Sequence, residues 1–268
     1  MHFKILCSDL DGTLLSTKSD VSNFAISAIS HLKSTTKIIL VSARMPSGMH
    51  YIQRSLGILE QPIICYNGAL IMQGDEELLS VTIPSEIVEQ IYGLAAPLDT
   101  NLGLYGNNEW YVPNMSERVE KERKYTKTEP IFKSTLDTIS DWKKRNMGAH
   151  KIMLMGTKDS ADVLMSILQK DFGQRLNIYR SNDTLIEIAP KSVSKLSAIQ
   201  QLLTNNESLK DIIAFGDNYN DIEMLEKVGH GVAVENAREE VKLIANAITK
   251  KNTEDGVAHY IQKHLTTF

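Results

Sequence analysis

Short apolar runs alternate with amphipathic stretches through the first 72 residues of the chain. Phe3-Lys4-Ile5-Leu6-Cys7, Ile38-Ile39-Leu40-Val41 and Pro62-Ile63-Ile64-Cys65-Tyr66 have the length of buried parallel strands. Between them Val21, Phe24, Ala25, Ala28 and Leu32 recur at helical spacing, and a short helix is expected near Pro46 to Leu56. This alternation predicts an α/β fold whose parallel strands are joined by crossover helices. Ala69 to Met72 and Leu78 to Thr82, joined across Gln73-Gly74-Asp75, read as a hairpin leading out of that core.

From Pro84 the pattern changes. Helical stretches now alternate with paired strands: Asn101 to Tyr105 with Glu109 to Val112, Lys151 to Met155, a helix over Ser160 to Phe172, and two strands flanking Ser181-Asn182-Asp183. Residues 84–189 therefore read as an inserted α+β domain. Residues 1–83 and 190–268 read as one discontinuous core. Glu117 to Lys127 is expected to be a solvated helical face, and Trp110, Tyr111 and Trp142 to be packing residues.

The chemistry-bearing residues cluster at the ends of the apolar runs. Asp9 and Asp11 follow the first run and precede Gly12, which tolerates dihedrals that other residues resist. Asp217 and Asp221 follow Ile212-Ile213-Ala214-Phe215, and Ser42-Ala43-Arg44 follows Ile38 to Val41. In open α/β sheets ligands bind at the carboxyl ends of the strands. Two acidic clusters at such ends would repel each other unless a cation bridged them, and all-oxygen ligands suit a hard ion such as Mg²⁺. Taken alone, Ser42 reads as a cap and Lys195, at the start of a helical pattern, as a solvated charge. Beside the carboxylates they complete what phosphoryl transfer requires: an attacking oxygen, a metal, and fixed positive groups around the phosphate.

In this arrangement the chain resembles the haloacid dehalogenase superfamily, and within it the Cof-type sugar-phosphate phosphatases. Asp9-Leu10-Asp11-Gly12-Thr13-Leu14 is similar to the first family motif, Ser42 to the second, Lys195 to the third, and Gly216-Asp217-Asn218-Tyr219-Asn220-Asp221 to the fourth, in the family's order. Tyr66-Asn67-Gly68-Ala69 and Asn252 to Ala258 are smaller echoes. Ser42-Ala43-Arg44 stands where Thr-Gly-Arg is usual, and Leu196 where a glycine commonly follows the motif lysine. The resemblance implies a Rossmann-like core with an α/β cap, and hydrolysis of a small phosphate monoester. It further implies Asp9 as nucleophile and Asp11 as general acid and base. Mg²⁺ would be held by Asp9, the Asp11 main chain and Asp217, with Asp221 tuning the metal's surroundings. Ser42, Ala43 and Lys195 would hold phosphate, Asn220 would touch the phosphate or steer Lys195, and Arg44 and Asn67 would lie at the rim. His150 and Arg180 are possible polar contacts from the insert.

The alternatives are a phosphomutase or other phosphotransferase on the same core, recognisable by dependence on an added sugar bisphosphate, and a non-catalytic phosphate-accepting signalling module. The latter places its acidic pair and its phospho-acceptor on different early strands. A dehalogenase would not need the leaving-group acid that Asp11 supplies. Sugar phosphates, flavin mononucleotide and pyridoxal phosphate all remain open as substrates.

Composition agrees with a soluble enzyme. The 268 residues are 42% hydrophobic and 23% charged with a formal net charge of −4, which offers nucleic acid no basic surface. No run approaches the roughly 18 to 20 apolar residues of a membrane span. Cys7 and Cys65 both lie in strand-like runs, so they read as buried thiols in a reducing compartment. A cytoplasmic protein is expected, with no membrane or nucleic-acid partner and no oligomeric state specified.

Overall fold

A computed structural model describes residues 3–17 and 19–265. The outermost positions of the core drawn from sequence, 1–2 and 266–268, lie outside that range. In chain order the elements are β1 (Ile5–Ser8), α1 (Asn23–Leu32), β2 (Lys37–Val41), α2 (Ser47–Leu56), β3 (Ile63–Cys65), β4 (Leu70–Gln73) and β5 (Glu76–Ser80). Then follow β6 (Ile83–Pro84), α3 (Ser85–Ala95), β7 (Asn101–Gly106), β8 (Glu109–Val112), α4 (Glu117–Thr126), β9 (Ile131–Phe132), α5 (Thr135–Lys144), β10 (Gly148–Ala149), β11 (Lys151–Met155), α6 (Lys158–Phe172), β12 (Leu176–Asn182) and β13 (Leu185–Pro190). The chain closes with α7 (Lys195–Gln201), β14 (Ile212–Gly216), α8 (Ile222–Lys227), β15 (His230–Val234), α9 (Glu239–Ile244), β16 (Ala247–Thr249) and α10 (Gly256–His264).

Two compact units result, Met1–Leu78 with Ser194–Phe268, and Leu79–Val193. The first is built on a sheet in the order β16-β15-β14-β1-β2-β3-β4-β5. Strands from β16 to β3 run parallel, and β4 turns back antiparallel on β3. β1, β2 and β14 are apolar along almost their whole length because helices cover a parallel sheet on both faces. Chain order reverses at β1: β2 and β3 extend one way, β14 to β16 the other. That reversal makes the crevice in which α/β proteins bind ligands. Burial drives both cysteine thiols far above their ordinary range, so they act as small hydrophobes.

The second unit carries a sheet in the order β12-β13-β11-β7-β8-β9, antiparallel except for β8 with β9. Alternate residues of β7, β11 and β13 join Val88, Ile91, Ile139, Trp142, Leu164 and Leu168 of α3, α5 and α6 in one apolar core. On the other face Tyr105, Trp110, Met153 and Leu185 are buried as well, so the middle strands are covered on both sides. α4 is polar apart from buried Val119, so it is the solvated helix that its charge run predicts.

Candidate active site

Asp9 directly follows β1, and its main-chain N–H donates to the Phe215 carbonyl of β14 at 3.0 Å, which locks the two strand ends together. The chain then makes a wide turn in which the Leu14 and Leu15 N–H groups donate to the carbonyls of Asp9 and Leu10. Gly12 occupies a left-handed conformation there, with φ of 87°, and a Cβ at that position would lie 2.5 Å from an Asp217 oxygen. The glycine thus lets the first loop lie against the second acidic cluster. Thr13 Oγ1 donates to Asp217 Oδ1 at 3.3 Å.

Two asparagines from distant loops brace this turn. Asn236 Nδ2 donates to the Gly12 carbonyl at 2.8 Å, and Asn252 Nδ2 to the Leu15 carbonyl at 2.9 Å. Asn236 Oδ1 accepts in turn from the Asn252 N–H at 2.8 Å.

Lys195 is not the surface charge that its isolated context suggests; its side chain is 1% exposed. It opens α7 behind a reciprocal Ser194–Ser197 cap, and its ammonium donates to Asp9 Oδ1 at 2.6 Å and Asp221 Oδ1 at 2.7 Å. Asp221 is fully buried, and its other oxygen accepts from the Asp217 and Asn218 N–H groups at 3.0 and 3.1 Å. Ligand atoms of Asp9, Asp217 and Asp221 all lie within 4.8 Å of one another.

Three carboxylates against one ammonium leave a surplus of negative charge. Burial raises the Asp9 carboxyl well above its ordinary range, with Lys195 opposing and Asp221 and Asp217 adding to the rise. Asp217 is pushed up to about 7, first by burial and then by the Asp221 charge. Burial works against the Lys195 ammonium too, but Asp221 and Asp9 outweigh it and hold it protonated. A compact all-oxygen donor set with surplus negative charge fits a hard divalent cation.

Ser42 follows β2; its N–H donates to the Ile64 carbonyl at 2.9 Å, and its Oγ accepts from the Arg44 N–H at 3.2 Å. Helix α2 begins only at Ser47, behind Pro46, so the Ser42 loop precedes the helix's first turn rather than forming it. Ala43 is half-buried between its neighbours. Asn67 is half-buried and left-handed, and its N–H donates to the Ser42 carbonyl at 2.9 Å. Asn220 is exposed, and its amide donates to Asn67 Oδ1 at 3.0 Å rather than reaching Lys195.

Arg44 departs from the rim position expected of it. It is buried, and its guanidinium grips the exposed Asp11 carboxylate at two points, 2.6 and 2.7 Å. His150 and Arg180 are likewise engaged inside their own unit. Buried His150 pairs Nε2 with Ser80 Oγ at 3.0 Å and accepts from the Asn107 N–H at Nδ1, while Arg180 pairs with Asp162.

Residues 6–261 match the haloacid dehalogenase-like hydrolase family. The chain belongs to that family. A candidate phosphatase of Haemophilus influenzae is 32% identical over 98% of each chain. An HMP-PP phosphatase of Yersinia pestis is 26% identical over 99% of this chain and 96% of its own. A solved haloacid dehalogenase-like hydrolase from Bacteroides thetaiotaomicron is 28% identical, covers 97% of this chain and 99% of its own, and superposes with a TM-score of 0.89. The motif resemblance and the family match agree, and the protein is a phosphatase of the haloacid dehalogenase-like family.

Four residues of this phosphatase's site were not singled out by sequence reasoning. Thr13 and Asn252 sit inside motifs whose other members drew the attention. Asn236, two residues past β15, could have been found by asking which strand ends carry an amide. Tyr51, which bonds Arg44, left no signal because its apolar ring fits the helical pattern of α2. Among the described residues no helix is long and apolar enough to cross a membrane.

Proposed function

We propose that the protein is a Mg²⁺-dependent hydrolase of small phosphate monoesters, sugar phosphates first among them, acting through an aspartyl-phosphate on Asp9. The observation that carries this reading is the buried Asp9 carboxylate, bonded at one oxygen by Lys195 and grouped with Asp217 and Asp221. Asp9 attacks phosphorus, and the ester oxygen departs with a proton from Asp11. Asp11 then removes a proton from the water that cleaves the acyl-phosphate, so one hard displacement becomes two easier ones. Ser42 and Lys195 bind phosphoryl oxygens, and the Lys195 ammonium opposes the rise that burial imposes on the Asp9 carboxyl.

Asp9, the Asp11 carbonyl and Asp217 would hold Mg²⁺, supported by Asp221. When bound, the ion would neutralise charge on the transferred phosphoryl group. Asp221 has both oxygens committed to Lys195 and to main-chain N–H groups, which supports a supporting rather than a ligating role. The inserted unit, in this reading, selects the leaving group, because phosphate and nucleophile contacts are shared by every ester while the leaving group differs. The cytoplasm is the compartment proposed, since the two buried thiols form no disulfide framework.

Asp9→Asn is the deciding variant. Phosphate release over a panel of esters with Mg²⁺ is expected to disappear while the thermal transition persists. Wild-type turnover in Asp9→Asn, or undiminished activity after exhaustive chelation, would sink the mechanism.

A further inference from the structure

Arg44 carries a set of hydrogen bonds that the chemistry above leaves without a purpose. Nε donates to Asp11 Oδ2 at 2.7 Å and Nη2 to Asp11 Oδ1 at 2.6 Å, a two-point fork. Behind the fork, Nη1 donates to the Gly48 carbonyl at 3.1 Å and to the Tyr51 hydroxyl at 2.9 Å, both on α2. The Tyr51 hydroxyl donates onward to the Ser19 carbonyl at 2.6 Å, beyond the turn that carries Asp11. The Arg44 side chain is 3% exposed and the Asp11 side chain 48% exposed.

This asymmetry has a chemical meaning. A carboxylate offers about four acceptor positions, and the fork takes two of them from the buried side. The remaining positions face solvent, where a leaving-group oxygen or a water would arrive. Without the fork, an aspartate this exposed would sample several rotamers. A planar guanidinium fixes both oxygens at once, which a lysine ammonium does not. Stability alone does not call for the arrangement, because an ion pair with one partner half exposed to solvent contributes little to the fold.

We infer that Arg44, itself anchored by Tyr51 and Gly48, is a positioning residue that aims the Asp11 carboxyl at the leaving-group oxygen. The inference rests on the reading of Asp11 as acid and base. It predicts a defect with a particular signature: loss should track how much help the leaving group needs, since misplacement of an acid hurts poor leaving groups most.

The test compares β-glycerol phosphate, a poor leaving group, with p-nitrophenyl phosphate, a good one, both with Mg²⁺. Arg44→Met is expected to lower kcat for β-glycerol phosphate by about 10- to 100-fold and to leave p-nitrophenyl phosphate within about threefold, with KM for each little changed. Tyr51→Phe should show the same pattern more weakly, and because it removes one oxygen from the ring it serves where Arg44 variants do not fold. Methylguanidinium added to Arg44→Ala should restore part of the β-glycerol phosphate rate. Equal losses on both esters, a change confined to KM, or an unchanged β-glycerol phosphate rate would overturn the inference. Asp11→Asn run in parallel separates the two levels. If it shows the leaving-group dependence and the Arg44 and Tyr51 variants do not, only this inference falls; if it shows none, the reading of Asp11 falls and takes the inference with it.

Discussion

Removing the Lys195 ammonium would leave Asp9 and Asp221 facing each other inside the protein without the cation that now bridges them at 2.6 and 2.7 Å. Breaking a buried ion pair from one side typically costs several kcal/mol, because the surviving charge stays buried. Lys195→Met is therefore expected to lower stability by about 3 kcal/mol, read as a fall in the urea midpoint at constant slope, and to abolish turnover on every ester alike. The same surplus of carboxylate charge sets a pH dependence. Asp217, raised to about 7, keeps a proton in the folded protein over a range where the unfolded chain has released it. The metal-free fold accordingly loses this contribution as pH rises from the ordinary carboxylate range through about 7. Protons and Mg²⁺ compete for the same oxygens. The rise in Tm on adding Mg²⁺ should therefore be small at pH 5.5 and reach several degrees by pH 8. A Mg²⁺ shift that shrank as pH rose would contradict the assignment.

At the scale of elements, the site depends on turns that hold helices and strand ends at close quarters. Tyr66, Asn67 and Gly68, which follow β3, are all left-handed, with φ of 51°, 56° and 107°. For a buried tyrosine this conformation costs about 1 to 3 kcal/mol and persists because the surroundings dictate it. Here the Tyr66 and Asn67 N–H groups are tied to the Arg44 and Ser42 carbonyls. A Cβ on Gly68 would lie 2.3 Å from the Ser194 carbonyl oxygen, which belongs to the cap of α7. Backbone at a helix start cannot yield as a flexible side chain can. Gly68→Ala should thus combine left-handed strain with displacement of the helix that presents Lys195. A loss of at least about 2 kcal/mol is expected, with kcat reduced although no motif residue has changed. Wild-type kcat in a correctly folded Gly68→Ala would show that α7 tolerates the shift.

At the scale of the whole molecule the two units differ in what pH does to them. His150, in the inserted unit, is fully buried between Ser80 and the Asn107 N–H, and burial lowers its pKa to about 4. The unfolded histidine, with a pKa near 6.5, takes up a proton that the folded one refuses. Its contribution is therefore complete above about pH 6.5 and is lost as pH falls toward 4. Between pH 7.5 and 5 the loss amounts to about 2 kcal/mol. Thermal unfolding across that range should show the decline, and His150→Gln, which keeps a polar partner without the titration, should flatten it. An equal decline in His150→Gln would place the effect elsewhere.

The local chemistry of the chain determined which segments become parallel strands and that acids stand at their ends, because strand length, apolar runs and the placement of Asp9, Asp11, Asp217 and Asp221 are written in consecutive residues. Four ordered motifs likewise sufficed to point to the family. Only the tertiary structure decided that β14 lies beside β1, so that residues some two hundred positions apart share one cluster. It also decided that Lys195 is buried, that Arg44 turns inward onto Asp11, that Asn236 and Asn252 brace the first turn, and that His150 sits inside its own unit. The physical reason is common to all of these. Periodicity reports which face of a segment avoids water, whereas the fate of a charge or an amide depends on which other segment arrives beside it.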